Sequence, residues 1–139
     1  MRVTALLLAD DAIEAGGKLY VHGAGWDRVH LGNVPGTVAR MALVLAFEVD
    51  YTEALREQRI LIDLVDEDDH KHPGVHINGA IKVGHPPGIE PGDPSHVSQA
   101  VRIENLTFEH VGGYRFRIFL NDGETALASI PFRITSAAG

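Results

Sequence analysis

The densest set of chemically capable side chains lies in DLVDEDDHKHPGVH, Asp63 to His76. Asp63, Asp66, Glu67, Asp68 and Asp69 supply carboxylates, and His70, His72 and His76 supply imidazoles. Histidines that alternate along an extended segment share a face, so His70 and His72 with a carboxylate such as Asp68 could approach a zinc-like or other divalent site. The spacing matches no established cage and lacks the glycine and the closing glutamate of a calcium loop. The expectation is therefore a solvated hairpin loop neutralised by Lys71 and water. His70, His72, His76 and Asp68 remain weak metal candidates, and no cofactor is expected.

A second stretch, KLYVHGAGWDRVHLGN from Lys18 to Asn33, resembles a phosphate-cradling loop at first sight. A dinucleotide fingerprint needs a third glycine three residues after the second, at the opening of a helix. That position is Arg28, and Gly32 and Pro35 break any helix that would follow. The alternative is mechanical: glycines inside a strand permit a bulge that re-aims the sole tryptophan, Trp26. Trp26 is expected to plug one end of the core. With Asp27 and Arg28 beside it, it is also the candidate ligand- or partner-binding group.

Catalysis finds little support. His22, His30, His85, His96 and His110 are scattered, and no Ser-His-Asp order is readable. The absence of cysteine removes thiolate nucleophiles, thiolate zinc sites and disulfides together. Asp10-Asp11 reads as the turn that ends the first strand rather than as an acid-base pair.

These residues must be held by a fold of 139 residues, enough to bury roughly two-thirds of the unfolded surface in one domain spanning 1–139. A formal charge of -7 repels phosphate backbones and anionic lipid, so neither nucleic acid nor membrane is an expected partner. The N-terminus carries too short an apolar run for a signal core. The longest such run, Met41 to Phe47, is far below the ~20 residues of a membrane helix. A cytoplasmic protein is expected.

Short apolar runs separated by Gly, Pro, Asn and Asp predict strands near Val3–Ala9, Lys18–Ala24, Val38–Val49, Arg59–Val65, Val75–Val83, His96–Glu104, Gly113–Leu120 and Thr125–Ile134. Helix is expected at most over Tyr51–Gln58. In YRFRIFL, Tyr114, Phe116, Ile118 and Leu120 take one face and Arg115 and Arg117 the other, and Asp122-Gly123 predicts a tight hairpin turn. Pro131 implies an edge or a bulge in the returning strand, and Val75–Val83, with Gly79 at its centre, is the candidate edge strand. The segment GHPPGIEPGDPSH, with four prolines and three glycines in thirteen residues, predicts a crossover between sheets.

The stretches LLLADDA, GKLYVHGAGWDRV, LVDEDD, GHPPGIEPGD and GGYRFRIFLNDGE resemble an uncharacterised family of small bacterial, actinobacterial-type proteins of unknown function. The resemblance implies an immunoglobulin-like β-sandwich and carries no catalytic residue. The reading is an all-β antiparallel sandwich of about eight strands, Greek-key in type, with Tyr114, Phe116, Ile118, Phe47, Leu45, Ile60, Ile62 and Leu64 buried. Its expected role is a non-catalytic structural or protein-interaction module that binds a protein partner or self-associates as a homo-oligomer. One alternative is a small-ligand or carbohydrate-binding module using Trp26, Asp27 and Arg28. The other is a metal-dependent enzyme at the His70/His72 loop.

Overall fold

The computed structural model describes residues 1–84, 88 and 90–137. Among them nine strands form two sheets packed face to face, an all-β sandwich. The strands are β1 (Arg2–Ala15), β2 (Lys18–Ala24), β3 (Arg28–Leu31), β4 (Gly36–Val49), β5 (Gln58–Asp66), β6 (Lys71–Ile81), β7 (Ser95–Phe108), β8 (Gly112–Leu120) and β9 (Ala128–Ser136). One sheet has the order β2-β1-β4-β7 and the other β3-β9-β8-β5-β6. Alternation in β8 sends Tyr114, Phe116 and Ile118 inward, where they meet Phe47, Leu45, Ile60, Ile62 and Leu64; all eight are buried as expected.

The additional strand is β3, and it alters the all-antiparallel expectation, because it runs parallel to β9. Four residues are too few for alternation to be read. Its partner also decides Pro131. Pairing with β3 begins at Arg133, so Pro131 lies on β9 beyond the end of β3, where no ladder donor is required. The expected edge strand, β6, does border its sheet, and β1 lies in the interior of the other. The proline-rich crossover joins β6 to β7 in the opposite sheet; His85, Pro86, Pro87 and Ile89 lie outside the described residues.

Asp10-Asp11 does not end the first strand. β1 continues to Ala15, and Gly16 and Gly17, at φ of +58° and +79°, make the turn. Asp11 is retained in the strand because Arg102 donates from Nε at 2.9 Å and Arg40 from Nη1 at 3.4 Å. Beyond that clamp, Ala12, Leu19 and Val21 of the hairpin pack with Ala9, Ala42, Val44 and Ala100 in a second apolar cluster. The small residues there permit close approach.

No bulge forms at Gly23 and Gly25, since Ala9↔Ala24 and Asp11↔His22 keep one register. Both glycines have positive φ, +62° and +91°. At Gly23 a Cβ would meet Asp10 Oδ2 at 2.3 Å. Gly25 donates its N–H to Leu8 O at 2.9 Å, and the chain then leaves the first sheet to become β3 in the second. The glycine pattern is a sheet-crossing bend followed by a strand, not a phosphate loop.

Within the bound expected for helix, the Tyr51–Gln58 segment forms a single 3₁₀ turn, Tyr51–Glu53, because Leu55 adopts φ +70° and donates to Val83 O at 2.7 Å. One turn differs from local expectation. Between β8 and β9 the positive-φ pair is Asn121-Asp122 rather than Asp122-Gly123, and the connection extends over residues 121–127. Asn121 tolerates that conformation and fixes it: its Oδ1 accepts the Arg59 N–H at 2.7 Å and its Nδ2 donates to Gln58 Oε1 at 2.7 Å.

Candidate functional site

Because Tyr114 and Phe132 point into the core, their strand neighbours Gly113, Arg115, Pro131 and Arg133 face outward on the five-stranded sheet. Gly113 has no side chain and Pro131 has a compact one, so this part of the face is hollow. The hollow is a cleft of about 370 Å³, walled by Asp27 and Arg28 on one side and by Asp66, Glu67 and Arg115 on the other. Arg133 stands between them, in register with Arg28 on β3 and with Gly113 on β8.

The walls are held unequally. Glu67 Oε1 accepts the Gly113 N–H at 2.6 Å and lies 3.4 Å from Arg133 Nη2. That approach depends on Gly113, where a Cβ would come within 2.8 Å of the same oxygen. Arg115 donates to Asp69 Oδ1 at 2.6 Å. Among the described residues the Arg28 guanidinium and the Asp27 carboxylate engage no partner, although the Asp27 carbonyl accepts the Arg133 N–H at 2.8 Å.

Asp66 organises the loop behind the cleft. Its Oδ1 accepts the N–H of His70 and of Asp68, each at 2.9 Å. The His70 N–H is the largest of the influences that hold this carboxyl below the usual aspartate range; partial burial opposes it and the Asp68 N–H assists. The sign follows: a depressed folded-state pKa contributes stability above the ordinary carboxylate range, and that stability is lost as pH falls through the folded value. An NMR titration should place the Asp66 midpoint below that of an ordinary aspartate, with the Asp68 and His70 amide shifts following the same curve. Unmoved amides would mean that the turn does not form. Burial, reinforced by the Asp66 charge, pushes the Tyr114 hydroxyl up, and it donates to His110 O at 2.8 Å.

The four weak metal candidates, His70, His72, His76 and Asp68, are not all brought together. His70 stays with Asp66 and Asp68, the three having ligand atoms within 4.8 Å of one another. His72 is engaged elsewhere. Its Nδ1 accepts the Gly74 N–H at 2.9 Å, which assigns the ring proton to Nε2, and Nε2 donates to Thr107 O at 2.6 Å while the ring packs on Phe108. His76 is exposed opposite Asp63. His70 and His72 do not share a strand face, because β6 begins at Lys71 and leaves His70 in the turn.

Trp26 is half-buried against Phe132, edge to face at 6.3 Å, and its Nε1 is buried without an acceptor among the described residues. It packs behind the cleft, whereas its neighbours Asp27 and Arg28 line it.

A family of unknown function, DUF6941, matches residues 4–135. The chain belongs to that family. Membership agrees with the resemblance carried by the sequence motifs and attaches no activity to the cleft. No curated protein matches the chain. Among solved structures, the Pseudomonas fluorescens alkylpurine DNA glycosylase AlkC bound to DNA containing an abasic site analog aligns at 13% identity and a TM-score of 0.38. The alignment covers 94% of this chain and 30% of that one. No helix among the described residues of this DUF6941 member is long and apolar enough to cross a membrane.

Nothing in the sequence marks Arg115, Arg133 or Gly113 as a site residue. The outward alternation of Arg115 was legible; its convergence with Arg28 depends on strand register.

Proposed function

We propose that the protein is a non-catalytic interaction module that self-associates through the β1–β2 hairpin. The observation that carries this reading is the cross-strand pair Ile13–Tyr20, whose members are 48% and 51% exposed on a hairpin that ends its sheet. An open strand offers unpaired N–H and C=O groups, and exposed apolar side chains beside it favour pairing with a like strand. β2 contains no proline, whereas the opposite candidate, β6, is interrupted by Pro73 and Gly79. A second copy of β2 meets the first in a two-fold arrangement in which each Tyr20 covers apolar surface of its partner. Sedimentation velocity over a concentration series should reveal a reversible dimer that Tyr20→Lys weakens at least about tenfold, or about 1.4 kcal/mol. A monomer at every concentration would refute the reading.

A second reading, a small-ligand-binding module, is supported by the cleft that gathers Asp27 and Arg28 with Arg133 and Glu67.

A further inference from the structure

We propose that this cleft binds a small zwitterion of amino-acid type, its oxyanion held between Arg28 and Arg133 and its ammonium group by Asp27. The proposal rests on the ligand-binding reading and names the ligand class. Arg28 and Arg133 occupy paired positions on adjacent strands, an arrangement that repels unless an anion bridges it. Glu67 supplies only part of that compensation. Its Oε1 is committed to the Gly113 N–H at 2.6 Å and stands 3.4 Å from Arg133. Arg28 receives none among the described residues. A carboxylate set between two guanidinium groups satisfies both through charge-assisted hydrogen bonds.

A plain anion fits less well. Three carboxylates, Asp27, Asp66 and Glu67, line the same cleft as three guanidinium groups, so the site is balanced rather than positive. Asp66 is engaged by two backbone N–H groups and Glu67 by Gly113, whereas Asp27 is the acid of the three whose carboxylate engages no partner among the described residues. The unpaired acid and the unpaired base are consecutive in the chain and line one cleft. A ligand carrying both charges answers both. At about 370 Å³ the space lies near the lower end of the usual ligand-pocket range, suited to an amino acid whose apolar body rests on Pro131.

The test is an NMR titration with three probes that share one body: phenylalanine, N-acetylphenylalanine and phenylalaninamide. Phenylalanine should give saturable shifts at Asp27, Arg28 and Gly113, and each singly charged probe should bind about tenfold more weakly or worse. Arg28→Gln and Asp27→Asn, both at exposed positions, should each weaken phenylalanine binding by about the same factor while leaving the spectrum folded. N-acetylphenylalanine binding there as tightly as phenylalanine would overturn the zwitterion proposal and leave a ligand site for oxyanions. No saturable shift with any probe would overturn the ligand-binding reading as well.

Discussion

Phe116→Ala should lower the unfolding free energy by about 3–5 kcal/mol, the largest loss expected from a single truncation in this chain. Phe116 has no exposed surface, lies at the centre of β8 and stacks on Phe132 with ring centroids 5.5 Å apart. Phe132 is in turn stacked on Tyr114 at 5.9 Å and meets Phe108 edge to face at 5.9 Å. Removing the Phe116 ring deletes transfer free energy. It also leaves a cavity whose walls belong to both sheets and collapse only in part. Phe116→Leu refills most of the volume and should recover more than half of the loss. Urea unfolding with an unchanged m-value checks both. As a surface control, Glu124→Ala should stay within about 0.5 kcal/mol. A Phe116→Ala loss below about 1 kcal/mol would place that face of β8 outside the core.

The alternation that identifies Phe116 was legible because a strand with one buried face repeats every two residues. The same physics located Tyr114, Ile118, Leu45 and Phe47. Where local chemistry and distant partners disagreed, the sequence pointed the wrong way. Asp10-Asp11 looks like a turn, yet Arg40 and Arg102, distant in sequence, keep Asp11 in a strand. β3 was invisible because RVHL is short and its partner, β9, lies at the other end of the chain. The cleft follows the same division. Asp27 and Arg28 stood out as charges flanking the only tryptophan, and Asp66 and Glu67 as loop acids. Their meeting over Gly113 is set by the β3–β9, β9–β8 and β8–β5 registers.

Asp63→Ala and Arg117→Met should each destabilise the protein by about 2–4 kcal/mol, while Asp63→Leu with Arg117→Met restores most of that loss. Asp63 is 3% exposed and faces outward from the second-last strand of its sheet. What covers it is Arg117, directly opposite on β8, which donates from Nε to Oδ1 at 2.9 Å and from Nη2 to Oδ2 at 2.7 Å. The Asp63 carboxylate, foremost through these hydrogen bonds, pushes the Arg117 guanidinium above its ordinary range. The guanidinium also lies 5.1 Å from the Phe119 ring centroid, so its orientation is fixed from two sides. Truncating either partner strands a charge in a poorly hydrated position. The loss should fall somewhat short of the ~3–5 kcal/mol of a fully enclosed pair, because one-fifth of the Arg117 side chain remains open to water. Arg117→Lys keeps the charge but loses the two-pronged geometry, so an intermediate loss is expected. The double apolar variant strands no charge and fills the same volume, which is why it should fold nearly as well as the parent. Chemical denaturation of the parent, Asp63→Leu, Arg117→Met and the double variant completes the cycle. If each single variant lost under about 0.5 kcal/mol, the pair would be behaving as an ordinary surface bridge, and the outer face of this sheet would be more hydrated than its geometry implies.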